Sequence, residues 1–351
     1  MPLPGPRRHA TSTSSPTGGS TALELELRDV AKRYPGQREP AIPGLSLTVP
    51  AGEICALVGP SGSGKTTALR LINRMVAPTG GDILLGGRSV LDRPANELRR
   101  EIGYVIQQIG LFPHLTIADN VAAVPRLLGW SRDRIAERVA ELFELIGLDA
   151  GEIGERYPAQ LSGGQRQRVG VARALAADPP LMLMDEPFGA IDPINRTRLQ
   201  DEFLRLQQLV GKTVVFVTHD VDEAIKMGDK IAILRRGGVL AQYASPDEIL
   251  RRPADAFVAE FVGADRALKR LGLRSVADVA LEPWDGVRAP EPSIPRGANL
   301  RDALSELLGT GGDLVVVDDH GAAVGVLTLA AVSALIGDDR DDEHDRHGVG
   351  A

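Results

Sequence analysis

Four short stretches of this chain carry residue types that perform phosphate chemistry when they meet. The first is GPSGSGKTT, made of Gly59, Pro60, Ser61, Gly62, Ser63, Gly64, Lys65, Thr66 and Thr67. Its Gly59, Gly64, Lys65 and Thr66 fit the phosphate-loop pattern, in which a small turn aims successive backbone N–H groups at the phosphates of a nucleotide. A Cβ at the tight positions would obstruct that curl. Lys65 can reach terminal phosphates and Thr66 can ligate Mg²⁺, while the positive end of a following helix attracts the same anion. A plain glycine turn capping a helix would explain neither Lys65 nor Thr66. The second stretch, LMLMDEP, ends in Asp185 and Glu186; the third, TVVFVTHD, reaches His219; the fourth, IGYVIQQ, ends in Gln107 and Gln108. Taken singly, the two acids read as a solvated strand end and His219 as a satisfied core histidine. Together with the loop they can neutralise charge and orient water.

The elements around these residues explain how they could meet. EICALV, an apolar run of strand length, precedes the loop, and Ala68, Leu69, Leu71, Ile72 and Met75 recur behind it at helical spacing. The runs before Asp185 and His219 are apolar throughout, as in a parallel sheet covered on both faces, where ligands gather at the C-terminal edge. Three strand ends are therefore expected to line one crevice. Upstream, LELELRDVAKRY alternates Leu23, Leu25 and Leu27 with charged residues, LSLTV follows as a second alternating strand, and GGDILLGG supplies a short one. Tyr34 closes the first strand, where its ring can stack on an adenine base or pack at a domain edge. From about residue 108 to 178 the pattern turns helical, with Ile135, Val139, Leu142, Phe143 and Ile146 sharing one face. The glycines of LSGGQ stand where the last of these helices should begin.

Bulk properties restrict the partners. With 351 residues the chain has room for two domains and a substantial core. A formal net charge of -7 argues against a nucleic-acid partner. The one cysteine, Cys55, sits in the apolar strand before the loop, so no disulfide framework is possible and a reducing cytoplasm suits the chain. No apolar run approaches the roughly 18 to 20 residues that span a bilayer, so a membrane role would be peripheral. Residues 1–22, rich in Pro, Ser, Thr and Gly, read as a disordered tail.

With these motifs in order, residues 23–262 resemble the nucleotide-binding subunit of an ATP-binding cassette (ABC) transporter, whose hallmark is LSGGQ, Leu161 to Gln165. The resemblance implies an α/β fold: a P-loop NTPase domain with a mixed sheet core, an antiparallel β subdomain and an inserted helical subdomain at about 108–178. It implies that Tyr34 stacks on adenine and that the loop residues hold ATP. Thr66, Gln107 and Asp185 would hold Mg²⁺, with Lys65, Gln107, Glu186 and His219 catalytic and Glu186 polarising the attacking water. Ser162, Gly163, Gly164, Gln165 and Asp192 would serve the second copy in an ATP-sandwich dimer. The family more often has serine where Gly189 stands, which weakens the match around Asp192.

The segments IGYVIQQIGLFPHLTIADNVAAVPRLLGW and FVGADRALKRL resemble the ATPases of quaternary-amine importers for glycine betaine, carnitine or choline. The implied partners are a second copy, transmembrane permease subunits and, indirectly, an extracytoplasmic solute-binding protein, with the chain on the cytoplasmic membrane face. An importer ATPase for an amino acid or another polar solute, or a soluble ABC ATPase outside transport, are the alternatives. His114 reads as an interface or packing residue, since no other His or Cys ligand is near it in sequence. Residues 263–337 give a helix, a buried strand LVVVDD, a turn, a strand AAVGVLTL and a final helix opened near Thr328. This resembles a single cystathionine β-synthase (CBS) type regulatory module of small α+β fold, able to pair with its counterpart from another chain; the resemblance implies either sensing of adenine nucleotides or ionic strength or a module that only stabilises the dimer. Residues 338–351 read as an acidic disordered tail in which His344 and His347 are weak metal candidates at most.

Overall fold

The computed structural model describes residues 22–107, 110–189, 191–284, 286 and 292–335. The N-terminal tail up to residue 21, Gln108, and the acidic stretch from 338 with His344 and His347 lie outside the described residues. The described chain divides into two compact units, one of residues 22–249 and 253–261, the other of residues 250–252 and 262–335.

The larger unit contains ten strands: β1 (Leu25–Lys32), β2 (Ile42–Val49), β3 (Ile54–Val58), β4 (Gly80–Leu85), β5 (Arg88–Ser89), β6 (Ile102–Val105), β7 (Leu181–Asp185), β8 (Thr213–Thr218), β9 (Lys230–Leu234) and β10 (Leu240–Ala244). Four of them form an antiparallel sheet in the order β2-β1-β4-β5. Its alternation is visible in β1, where Leu25, Leu27 and Val30 are buried while Arg28 lies outside and pairs with Glu26. The other six form a sheet in the order β10-β9-β3-β8-β7-β6, parallel except for β10. Buried on both faces, β3 and β8 are apolar runs rather than alternations. The sheet is thus mixed, as the resemblance implies, although β9 and β10 had no part in the sequence reading.

Helix α1 (Lys65–Ile72) follows β3 and turns Ala68, Leu69, Leu71 and Ile72 into a core shared with Leu25, Leu57, Leu183 and Val215. Met75 does not join that stripe. The helix ends at Asn73, Arg74 takes a left-handed φ of 47°, and Met75 emerges 48% exposed. Local spacing continued past the point where the backbone turned.

Helix α2 (Ala95–Arg100) precedes β6, and the helical segment expected at about 108–178 comprises α3 (Ile117–Leu127), α4 (Arg132–Leu145), α5 (Ala150–Ile153) and α6 (Gly163–Leu175). Thr116, Ser131, Asp149 and Ser162 cap the last four through side-chain oxygens, so each starts where its sequence supplies an acceptor for an orphan N–H. In α4 the expected face buries Ile135, Leu142 and Phe143. Beyond β7 lie α7 (Pro193–Val210), capped by Asp192, and α8 (Val221–Met227), capped by Asp220. After β10 come α9 (Pro246–Arg251) and α10 (Ala256–Val262).

The smaller unit contains α11 (Arg266–Leu271), β11 (Ser293–Pro295), α12 (Leu300–Thr310), β12 (Leu314–Val317), β13 (Ala323–Leu327) and a helical segment over 329–335. The helix, strand, turn, strand and helix fall where the sequence places them, and the Thr328 hydroxyl accepts a hydrogen bond from the Ala331 N–H at 3.2 Å. The addition is β11, which pairs in parallel with β12 while β13 pairs antiparallel. Three residues that include a proline offer no periodicity from which to predict a strand.

Asn120 is fully buried and ties the loop after β6 to α3: it accepts from Phe112 N–H at 2.7 Å and donates toward the carbonyls of Phe112, Leu115 and Thr116. Replacing Asn120 with Leu takes the side-chain partner from the part-buried Phe112 N–H and Leu115 carbonyl, while the Phe112 and Thr116 carbonyls keep backbone donors. The expected result is a loss of about 1–3 kcal/mol in chemical unfolding, together with faster proteolysis within residues 110–116. Unaltered stability and cleavage would show that the loop holds itself.

Candidate functional site

Four neighbouring strands, β3, β8, β7 and β6, run parallel and deliver their C-terminal ends to one edge of the sheet. The phosphate loop leaves β3, His219 follows β8, Asp185 and Glu186 terminate β7, and Gln107 stands just beyond β6. The expected convergence of three strand ends on one edge is therefore present, with Gln107 as a fourth contributor. Neither Gln107 nor His219 is within its strand, because the ladders end at Val105 and Thr218.

The loop is a curl that only glycine can complete. At Gly59, φ is 152° and a Cβ would lie 2.2 Å from the Leu234 carbonyl oxygen; at Gly64, φ is 85° and a Cβ would lie 2.9 Å from the Ala41 carbonyl oxygen. Lys65 begins α1 and folds its ammonium into the curl, donating to the carbonyls of Gly59 at 2.7 Å and Pro60 at 3.1 Å and to Ser63 Oγ at 3.3 Å. Burial pushes the Lys65 ammonium below its ordinary range, and the charges of Glu186 and Asp185 oppose that shift.

Thr66 Oγ1 donates to Asp185 Oδ1 at 3.3 Å. Burial raises the Asp185 carboxyl, which the Thr66 hydrogen bond partly offsets. This hydroxyl and carboxylate are hard oxygen donors of the kind Mg²⁺ takes alongside phosphate oxygens and water. Among the described residues no group of three or more His, Cys, Asp or Glu could hold a metal, so an all-protein cage is not what these residues build. The donor set fits a cation shared with a phosphate ligand.

Glu186 is the meeting point. Gln107 Nε2 donates to its Oε2 at 2.9 Å, and His219 Nδ1 lies 3.4 Å from the same oxygen. Its backbone takes a left-handed φ of 45°, a conformation that costs a non-glycine residue about 1 kcal/mol or more. The Glu186 N–H donates to the Val217 carbonyl at 2.9 Å, and Gln167 in α6 donates to the Pro187 carbonyl at 2.6 Å. Those two bonds hold the turn from both sides. Gln167 was missed in the sequence, where its only signal was a polar residue on the buried face of α6. At Gly189 a Cβ would stand 3.4 Å from Glu186 Oε2, an ordinary contact, so space does not demand glycine there.

The remaining candidates stand elsewhere in the unit. Ser162 caps α6 in a reciprocal capping box with Gln165, with Gly163 and Gly164 forming its first turn. Asp192 caps α7 and is held below the usual carboxylate range by hydrogen bonds from Asn195. Tyr34 follows β1, half-buried, with Lys32 Nζ 5.1 Å from its ring centroid. His114 is exposed beside Phe112, their rings 6.1 Å apart.

A phosphate loop between a central parallel strand and a helix, with acids on a neighbouring strand end, defines a P-loop ATPase. The family profile described as "ABC transporter" matches residues 42–189. The chain is 50% identical over 300 residues to the osmoprotectant import ATP-binding protein OsmV of Salmonella typhimurium, covering 84% of this chain and 74% of that one. It is 45% identical to the glycine betaine uptake system ATP-binding protein YehX of Escherichia coli, covering 86% and 97%. To the choline transport ATP-binding protein OpuBA of Bacillus subtilis it is 52% identical, covering 70% of this chain and 64%, just under two-thirds, of the relative. Among solved structures, the dimeric, post-hydrolysis ATP-binding cassette MJ0796 bound to ADP and phosphate superposes with a TM-score of 0.56 at 34% identity, over 63% of this chain and 98% of that one. The chain belongs to the ABC transporter family, as an ATP-binding subunit that hydrolyses ATP.

A carboxyl raised by burial holds protons that the unfolded chain has released, so its contribution to stability falls as pH rises through that window and recovers below it. Asp185→Asn is therefore expected to unfold at a higher temperature than the parent at pH 7 in metal-free buffer. The difference should shrink as pH falls into the ordinary carboxylate range. Scanning calorimetry across pH checks this; a lower midpoint at pH 7 would mean that the Thr66 bond outweighs burial.

Proposed function

We propose that the chain energises uptake of quaternary-amine osmoprotectants of the glycine betaine, choline or carnitine type. Two copies sandwich two ATP molecules on the cytoplasmic side of a separate permease, which an extracytoplasmic solute-binding protein supplies. The observation that carries the reading is the convergence of Lys65, Thr66, Asp185, Glu186, Gln107 and His219 on one sheet edge. Support for the cargo comes from the relatives named above, two of which match over most of their length. Among the described residues no helix is long and apolar enough to cross a membrane, which suits a peripheral subunit.

Backbone N–H groups from Gly59 to Thr67 cradle the phosphates, and Lys65 exchanges its loop carbonyls for terminal phosphate oxygens. Tyr34 stacks on the adenine. Thr66, Gln107 and Asp185 would hold Mg²⁺, which would neutralise charge that develops on the phosphate oxygens. Glu186 polarises the attacking water, and His219 contacts the γ-phosphate. Ser162, Gly163, Gly164, Gln165 and Asp192 of each copy complete the site of the other. Because phosphoryl transfer needs positioning and charge neutralisation more than covalent chemistry, this division of labour is sufficient. Residues 23–262 form the nucleotide-binding domain, and residues 263–337 form a CBS-type regulatory module that modulates transport.

Glu186→Gln is expected to lower steady-state ATP hydrolysis about 100-fold or more while retaining ATP and accumulating a pair of chains in size-exclusion chromatography. Undiminished turnover would remove Glu186 from the chemistry. In vesicles carrying the assembled importer, glycine betaine or choline should be taken up in an ATP-dependent way. Removing residues 273–351 should preserve ATP binding and change how uptake responds to salt. Uptake of an amino acid instead would reassign the cargo, and an unchanged salt response would remove the regulatory role.

A further inference from the structure

Glu223 is a buried carboxylate that the mechanism above does not use. It lies in the first turn of α8, 6% exposed, and burial raises its pKa. Both of its oxygens are committed. The Thr218 hydroxyl donates to Oε2, and Gln200 Nε2 donates to Oε1 at 3.2 Å. Thr218 and Gln200 are themselves buried. Burying a carboxylate to make two hydrogen bonds is a poor source of stability compared with an apolar side chain of similar volume. What such a network supplies is a unique arrangement of the groups it joins.

The groups it joins flank His219. Thr218 Oγ1 accepts from the Asp220 N–H at 3.0 Å, and Asp220 Oδ1 accepts from the N–H groups of Asp222 at 2.9 Å and Glu223 at 3.2 Å. The residues on either side of His219 are thus locked to α8, while the His219 side chain is 66% exposed and its Nδ1 lies 3.4 Å from Glu186 Oε2. An exposed ring can be placed accurately only through its backbone. Gln200 belongs to α7, and one turn earlier Arg196 Nη1 lies 3.7 Å from Asp220 Oδ2. Two side chains of α7 therefore hold the segment that carries His219. Helix α7 is capped by Asp192, the residue assigned above to the second copy.

We propose that Glu223 is a positioning residue that sets His219 against Glu186 by clamping Thr218, and that through Gln200 it makes this placement follow α7. A displacement of Asp192 when two copies close would then reach His219 along α7 and through one carboxylate. The inference rests on the assignment of His219 to the γ-phosphate.

The test uses the full chain, measuring ATP hydrolysis at saturating Mg²⁺-ATP, KM, nucleotide affinity and thermal midpoint. Glu223→Gln and Thr218→Val should each lower kcat about tenfold with KM and nucleotide affinity within about twofold, and Thr218→Ser should restore it. In single-turnover assays with enzyme in excess, Glu223→Gln should add no further loss in a His219→Ala background. If Glu223→Gln slows the His219→Ala enzyme by the same factor as the parent, or leaves the parent's kcat unchanged, the proposal is overturned. If His219→Ala alone leaves turnover intact, the underlying assignment of His219 fails instead, and the two failures are told apart. Thermal midpoints of the Thr218 variants separate positioning from unfolding: a Thr218→Val enzyme that is slow only because it is unfolded also loses nucleotide affinity, which would count against the proposal.

Discussion

The parallel register of β3, β8, β7 and β6 is the constraint on which the rest of the molecule depends. Because each strand runs the same way, each must return by a crossover, and every crossover leaves the sheet from the same edge. Residues separated by more than a hundred positions in the chain thereby become neighbours, as the hydrogen bond between Thr66 and Asp185 demonstrates. The antiparallel sheet and α1 complete the core beneath that edge, and apolar runs such as ICALV and TVVFVT have no water-facing side to alternate with.

Much of this edge was legible because its chemistry is local. Lys65 and Thr66 must stand one after the other behind a glycine curl, so their spacing survives any change in the surrounding fold. The two acids after LMLM and the histidine after TVVFVT have no such local spacing; their place at the ends of apolar runs marked them. What was not legible depends on partners far away in the chain. The left-handed backbone of Glu186 is held by Val217, and the turn beyond it by Gln167, neither of which marks itself by spacing. Likewise, β11 exists only because β12 offers it an edge, and Met75 departed from its helical stripe because Arg74 reversed the backbone. Local period carries a helix forward until a tertiary turn overrides it.

Glu186 shows how a strained residue and a crowded carboxylate can coexist. A single oxygen serves both Gln107 and His219, so movement of any one of the three alters the other two. The elements behind them are different: α6 restrains the turn after Glu186, α8 restrains the segment bearing His219, and the loop beyond β6 carries Gln107. Function at this edge is a relation among three supports rather than a property of one side chain. In the proposed pairing of two copies, separate supports could be brought into line by separate contacts.

Cys55 has a practical meaning that its modest place in β3 conceals. It is the chain's one cysteine, it is fully buried, and burial raises its thiol to about 12. Alkylating reagents and spin labels attack thiolates, and this thiol is shielded from reagent and almost wholly protonated at neutral pH. In the folded chain that thiol is a poor target for such reagents. Cysteines introduced at exposed sites can carry paired probes without first stripping the native one, which gives a direct distance reading on the proposed pairing of two copies.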